Sequence, residues 1–149
     1  MNDNIDKMLT PDCPYFLEIK MKVPIGKKNE KYCIGKPSKI YKIKNETNQT
    51  IVINKTHYYT SNETTLVYLK ITTKINQEKL NFFSIRSISS NNPTFPYIYS
   101  YPYIIRPEQE LYLQAADGSG SKKPYYLFFT LEGLLLKEVE VKVNDRGLF

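Results

Sequence analysis

Apolar and polar residues alternate with a period of two in several short stretches of the chain, as they do in half-buried β-strands. The clearest case is residues 15–23, in which every odd position is apolar and the even positions carry Phe16, a glutamate and two lysines. The same alternation marks residues 66–72, 111–115 and 139–143. We therefore predict that each of these stretches is a strand with one buried face.

Turn-forming residues separate the alternating stretches and leave little room for helix. We count about eight to ten short strands, a spacing typical of an antiparallel sandwich or barrel. Residues 39–43 and 50–53 are predicted to pair as a hairpin, residues 81–88 to form a strand, and residues 75–80 to hold the only helical turn. The sequence predicts an all-β fold, a single antiparallel β-sandwich with very little helix.

Residues 117–121 read Asp-Gly-Ser-Gly-Ser and precede residues 125–131, which are apolar on both faces except for Thr130. Asp-Gly readily adopts a positive φ, so this segment is predicted to be a hairpin connection with a tip that can be shortened. A strand that is apolar on both faces belongs inside a sheet, so residues 125–131 are predicted to form a central strand.

The chain is expected to form one domain preceded by an arm. Residues 1–14 lack alternation and contain Pro11 and Pro14, so we predict an extended N-terminal arm without regular structure and a β-sandwich domain over residues 15–149. A chain of this length buries roughly 70% of its unfolded surface without help from disulfides or metals. We expect no signal peptide, because the N-terminus lacks a basic n-region and an apolar h-region. We expect no transmembrane segment, because no apolar run reaches the roughly 18 residues that a span needs.

Five aromatic residues occupy every second position of one extended segment: Phe95, Tyr97, Tyr99, Tyr101 and Tyr103. In an extended backbone all five rings would line one side. The neighbouring prolines favour an edge strand or an ordered loop, because proline lacks a backbone donor. The row is either part of the core or a contact surface for bases, sugars or another subunit. With no tryptophan and little arginine, subunit contact leads, and the five rings are our candidate interface residues.

The chain offers few groups for catalysis or metal binding. His57 is the only histidine, predicted to be a surface or loop residue, and Cys13 and Cys33 lack C-x-x-C spacing. A bond between the two cysteines is possible, but two residues do not make a disulfide framework, and we expect free, partly buried thiols. Glu108 with Glu110, and Glu138 with Glu140, put carboxylates two residues apart, and Glu138 and Glu140 alternate with valines, as residues on the wet face of a strand do. We predict no enzymatic activity, no cofactor, no catalytic residue and no metal ligand.

Composition and charge alter this picture only slightly. The chain has 13 tyrosines, no tryptophan and a formal net charge of +6. A basic balance raises the prospect of an acidic partner such as nucleic acid. The lysines are spread out, however, and abundant Lys, Asn, Ile and Tyr are also what an AT-rich genome encodes.

Residues 103–113 combine an apolar pair, a proline-led polar turn and an alternating strand. This run resembles the turn-and-strand segments of jelly-roll-like β-sandwich proteins of viral and phage particles. The resemblance implies a jelly-roll-like, non-enzymatic structural or assembly protein of the virion: a capsid, decoration or accessory protein made in the host cytoplasm. Its partners would be copies of itself or other virion proteins. The alternative is a binding module of OB- or lectin-like type for single-stranded nucleic acid or glycan, and neither reading involves a membrane.

Overall fold

The computed structural model describes residues 4–25, 35–61, 66–73 and 82–143, with the backbone alone for residues 4–12 and 138–143. This part of the chain contains eight strands and one short helix. They are β1 (Asn4–Val23), β2 (Tyr41–Lys44), β3 (Thr50–Thr60), β4 (Val67–Thr72), β5 (Phe83–Ser84), α1 (Ile85–Ile88), β6 (Tyr97–Ile105), β7 (Glu110–Asp117) and β8 (Tyr125–Val143).

The strands form two four-stranded antiparallel sheets, with the orders β1-β8-β3-β6 and β2-β7-β4-β5. The pairs β1·β8, β2·β7, β3·β6 and β4·β5 are nested, as if one long hairpin had been rolled up. The pairs β3·β8 and β4·β7 then complete the two sheets. Eight strands in this order form a jelly roll. The prediction of an all-β antiparallel sandwich is confirmed.

The core lies between the two sheets and is built from the inward positions that alternation predicts. Six fully buried side chains come from five strands: Met21, Ile53, Leu69, Leu113, Phe129 and Leu131. Burying each of them stabilises the fold by roughly 1.5–3 kcal/mol. β8 lies between β1 and β3, so the prediction that residues 125–131 form a central strand is confirmed.

The predicted hairpin of residues 39–43 with 50–53 is wrong. β2 pairs with β7 in one sheet, whereas β3 pairs with β6 and β8 in the other. The turn between β2 and β3 therefore crosses from sheet to sheet around the buried side chain of Asn45. Its Nδ2 donates to the carbonyl oxygens of Ile105 at 2.8 Å and Gln49 at 2.7 Å, while Oδ1 accepts from the backbone of Thr47 at 3.0 Å.

Residues 117–121 are not a hairpin connection either, because β7 and β8 belong to different sheets. The Asp117 carboxylate organises this crossing. Its Oδ1 accepts from the backbone and hydroxyl of Ser119 at 3.1 and 2.6 Å and from the Tyr125 hydroxyl at 2.7 Å, and its Oδ2 accepts from the backbone of Ser121 at 2.8 Å. The glycine-serine tip is thus tied to a buried acid, which is why it is not a simple turn.

The predicted N-terminal arm is extended, but it does not lack regular structure. β1 begins at Asn4 and pairs with β8 along its length, with a register shift between Pro11 and Cys13. Prolines are tolerated here because β1 is an edge strand, where one side of the backbone needs no partner. Beyond Leu136, β8 has β1 as its partner and no longer pairs with β3.

The predicted strand over residues 81–88 is largely replaced by β5 and the single turn of α1. The Ser87 hydroxyl donates to the Ser84 carbonyl at 2.7 Å, a local bond that competes with strand pairing. The helical turn predicted over residues 75–80 lies outside the described residues.

Candidate contact surface

β6, which carries most of the aromatic row, is an edge strand, as the prolines predicted. Its pairing with β3 is interrupted in the middle. Ile53 pairs with Tyr103 and Lys55 pairs with Ile98, so Asn54 alone stands opposite residues 99–102 of β6. Such a bulge bends the strand and changes the direction of the side chains within it.

Three rings of the row come together on the inner side of the sheet. The Tyr99 ring lies 5.2 Å from Tyr97 at an interplanar angle of 58° and 5.5 Å from Tyr103 at 86°. Tyr97 stands opposite buried Thr56, and Tyr103 opposite buried Ile53. Tilted and edge-to-face contacts of this kind stabilise aromatic clusters. These three rings extend the core towards the sheet edge.

The Tyr99 hydroxyl joins β6 to β3 and α1. It donates to the carbonyl oxygen of Ile88, the last residue of α1, at 2.5 Å, and it lies 3.0 Å from Thr56 Oγ1. Thr56 Oγ1 is also 3.1 Å from the Ile88 oxygen. Burial raises the pKa of the Tyr99 phenol well above its ordinary value, so this group remains a neutral donor.

The other two rings of the row are exposed. Phe95 lies in the turn before β6 and is 73% exposed, and Tyr101 lies in the bulge and is 91% exposed. The prediction that all five rings share one face is wrong because the bulge interrupts the alternation. The row is therefore divided: Tyr99 and Tyr103 lie at the edge of the core, Phe95 and Tyr101 lie on the surface, and Tyr97, which is 38% exposed, lies between the two groups.

A second group of large apolar residues, four aromatic rings and one isoleucine, was missed in the sequence analysis and lies on the outward side of the β1-β8-β3-β6 sheet. We call it the outer aromatic face: Phe16, Tyr59, Ile98, Tyr126 and Phe128. The Tyr59 and Phe128 rings stack at 4.4 Å and 9°, and Tyr126 lies 6.4 Å from Phe128. Phe16 is 62% exposed and Tyr59 is 53% exposed. The sequence signal was the apolar residues at outward positions of residues 15–23 and 125–131.

Charged side chains of both signs accompany these rings. Lys20 Nζ lies 4.3 Å from the centroid of Tyr126 and 5.8 Å from that of Phe128, a favourable cation–π arrangement. On the neighbouring strands, Lys55 stands opposite Glu132. Thr130, which stands opposite His57 and Glu18 on the neighbouring strands, is on the same side of the sheet but is only 2% exposed. The outer aromatic face is therefore a packed surface rather than a set of isolated rings.

His57 belongs to β3 and not to a loop. Its Nδ1 lies 3.6 Å from Glu132 Oε2, and its ring centroid lies 6.5 Å from that of Phe16. Both polar atoms are buried, and neither has a hydrogen-bond partner. Within the described ranges no three His, Cys, Asp or Glu side chains are grouped as metal ligands. Cys13 is an exposed free thiol, and Cys33 lies outside the described residues.

A pocket of about 360 Å³ opens beside Glu132, at the register shift between β3 and β8. It is lined by Pro14, Tyr15, Phe16, Asn54, Lys55, Glu132, Gly133 and Leu134. An exposed ring beside an amide, an ammonium group and a carboxylate can bind a ligand that has both an apolar face and hydroxyl groups.

We compared the chain with protein-family models, with curated proteins and with solved structures, and no match was found. Across the residues whose structure is described, no helix has the length and apolar character needed to span a membrane.

Proposed function

We propose that this protein is a non-enzymatic structural subunit that assembles with copies of itself through the outer aromatic face. The observation that carries the proposal is the group of large, partly exposed rings on the outward side of a sheet, led by Phe16, Tyr59 and Tyr126. Monomeric soluble proteins rarely leave extended apolar patches uncovered. Tyrosine and phenylalanine are enriched in protein interfaces, where they combine an apolar body with specific geometry.

Two further features support contact between copies. First, the surface is preorganised: Tyr59 and Phe128 already stack on adjacent paired strands, so little side-chain freedom is lost on association. Second, both Lys20 and Glu132 project from this side of the sheet. In a two-fold symmetric contact one patch meets itself, so a surface carrying both signs of charge can place unlike charges opposite each other.

The proposed setting is a phage or virus particle, in which the protein acts as a capsid, decoration or accessory component. Support for it comes from the jelly-roll strand order, which occurs in viral capsid domains and also in lectins and cupins. We expect purified particles of the source phage to contain this chain at a fixed ratio to the other subunits.

Sedimentation of the purified protein tests the self-assembly. We expect its weight-average mass to rise with protein concentration towards a discrete oligomer, and to stay high in elevated salt because apolar contacts dominate. A strictly monomeric chain across the whole concentration range contradicts the proposal.

A second candidate function is glycan binding in the pocket beside Phe16. The specific observation that favours it is the grouping of one exposed ring with the Asn54, Lys55 and Glu132 side chains. A glycan array followed by titration of the binding sugar tests this function. The Asn54→Ala and Glu132→Gln variants should lose sugar binding, whereas self-association through the outer rings should not need these polar groups.

A further inference from the structure

A second pocket lies between the end of β1 and the segment that leads into β2, at the border of the outer aromatic face, since Lys22 stands opposite Tyr126. Its volume is about 410 Å³. It is lined by Lys22, Pro24, Lys36, Pro37, Ser38, Lys39 and Tyr41. Three of the lining residues are lysines and none is acidic, so all the charged residues of the lining are positive.

The positive charge of this pocket is not neutralised by the described part of the chain. Elsewhere, Lys42 pairs with Glu110 at 3.5 Å and Lys44 pairs with Glu108 at 3.3 Å. Lys22, Lys36 and Lys39 have no such carboxylate within ion-pair distance among the described residues. Like charges held around one concave site repel each other, and an anion bound between them removes that repulsion.

The backbone that carries two of these lysines is fixed. Residues 35–40 run along β7, where the Gly35 amide donates to the Asp117 carbonyl at 2.6 Å and the Ser38 amide donates to the Ala115 carbonyl at 2.7 Å. The Gln114 side chain donates to the Ser38 carbonyl at 2.8 Å. The lysines therefore extend from an ordered strand-like segment, which lowers the entropic cost of gathering them around a ligand.

Tyr41 adds a neutral donor to the same pocket. Its hydroxyl oxygen accepts from the backbone amide of Lys22 at 2.8 Å, which fixes the phenol across the gap between the sheets. Lys39 Nζ lies 4.9 Å from the centroid of its ring. The proton of the Tyr41 hydroxyl has no acceptor among the described residues, so it is available to an oxygen atom of a ligand.

We propose that this pocket binds the phosphate group of a small phosphorylated ligand. A phosphate carries up to two negative charges and several acceptor oxygens, which match three ammonium groups and a phenol. The pocket volume is within the range of small-molecule sites. A nucleic-acid backbone would instead need a groove that follows several nucleotides. This inference is independent of self-assembly through the outer aromatic face.

Titration calorimetry with pyrophosphate as the probe, at constant ionic strength, tests the proposal. We expect saturable binding with a stoichiometry of one per chain. The Lys22→Gln, Lys36→Gln and Lys39→Gln variants should each weaken binding by roughly tenfold, since a charge-assisted hydrogen bond is lost in each. Lys42→Gln and Lys44→Gln are matched controls, because they remove the same charge from the adjacent strand and should leave the affinity within about twofold.

Thermal unfolding of all five variants separates loss of binding from loss of fold. Their melting temperatures should be close to one another. Equal weakening by the control substitutions would overturn the proposal, since binding would then follow net charge alone. Absence of saturable pyrophosphate binding by the wild-type protein would overturn it as well. If a single-stranded oligonucleotide bound more tightly than pyrophosphate, with an affinity that falls steeply as salt rises, the ligand would be nucleic acid and the proposal of a small phosphorylated ligand would be wrong.

Discussion

Gly133 of β8 lies against the backbone of Val52 on β3, so closely that a Cβ atom at residue 133 would come within 1.7 Å of the Val52 carbonyl oxygen. The contact lies next to the register shift in β3, where Ile53 pairs with Gly133 and Lys55 pairs with Glu132. The bulge and the glycine belong together, because the β3 backbone occupies the space that a side chain of β8 would need.

The Gly133→Ala substitution should therefore be strongly destabilising. The obstructing atom belongs to the backbone, so either the β3–β8 pairing or the bulge must shift, and we expect a loss of about 3 kcal/mol or more in the free energy of unfolding. Urea denaturation measures this. Gly118→Ala is the comparison: its Cβ would meet the ring of Tyr68 at 2.3 Å, and a side chain can move aside. If the Gly118 variant lost more stability than the Gly133 variant, this explanation would be wrong.

The Tyr99 hydroxyl should stabilise the edge of the sheet. In Tyr99→Phe the Ile88 carbonyl and the Thr56 hydroxyl each lose one partner but still bond each other, so the loss should cost about 0.5–1.5 kcal/mol. Tyr101→Phe, in the same strand but almost fully exposed, should change stability by less than about 0.5 kcal/mol. Equal effects of the two substitutions would show that the Tyr99 hydrogen bonds contribute nothing.

The same phenol predicts a loss of stability in alkali. Burial raises the pKa of Tyr99 in the folded protein, so above about pH 10 the unfolded chain releases this proton while the folded protein retains it. The stability due to Tyr99 is present in full below that pH and is lost as the pH rises. The stability difference between wild type and Tyr99→Phe should therefore shrink above about pH 10 in denaturation experiments. A constant difference would contradict the assignment.

The Asp117 carboxyl should make the fold less stable in acid, the opposite pH dependence from that of Tyr99. Burial by itself raises the pKa of its carboxyl, but hydrogen bonds from Ser119, Tyr125 and Ser121 outweigh burial and hold the pKa below its ordinary value. The stability is thus present above about pH 4 and is lost as the pH falls. Asp117→Asn should cost about 1–3 kcal/mol at neutral pH and progressively less below about pH 4. An unchanged difference in acid would contradict this role.

Alternation predicted the individual strands well where one face is purely apolar. Residues 15–23 and 111–115 lie in β1 and β7 and bury the predicted side, because each inward position has a core partner. Both predicted strand pairings, the hairpin of residues 39–43 with 50–53 and the hairpin across residues 117–121, were wrong. A jelly roll pairs strands that are far apart in the chain, such as β2 with β7, and local turn residues hold no information about those contacts.

Bulges explain why the aromatic rings lie on other faces than strict alternation predicts. Along β3 the buried positions are Ile51 and Ile53 before Asn54, but Thr56 and Tyr58 after it. One extra residue thus exchanges the two faces and turns Tyr59 outward. In β6 the longer bulge separates Tyr101 from its neighbours in the aromatic row. A register shift of this kind depends on the partner strand, so alternation alone cannot reveal it.

Self-assembly through the outer aromatic face should depend on the exposed rings of that face and not on the exposed rings of the aromatic row. Phe16→Ala and Tyr59→Ala remove rings from that face, whereas Phe95→Ala and Tyr101→Ala remove exposed rings of the aromatic row elsewhere. An interface aromatic residue can contribute on the order of 2 kcal/mol to association, roughly thirtyfold in affinity. Thermal unfolding of each variant, measured on dilute protein, verifies that the fold is retained.

The most direct measurement is the dissociation constant for self-association of wild type and these four variants, by sedimentation equilibrium in one buffer. We predict that Phe16→Ala and Tyr59→Ala raise it by about thirtyfold, while Phe95→Ala and Tyr101→Ala leave it within about threefold of wild type. A monomeric wild-type protein would contradict the account. A weakening of self-association confined to the Phe95 and Tyr101 variants would also contradict it, because the contact surface would then lie at the aromatic row.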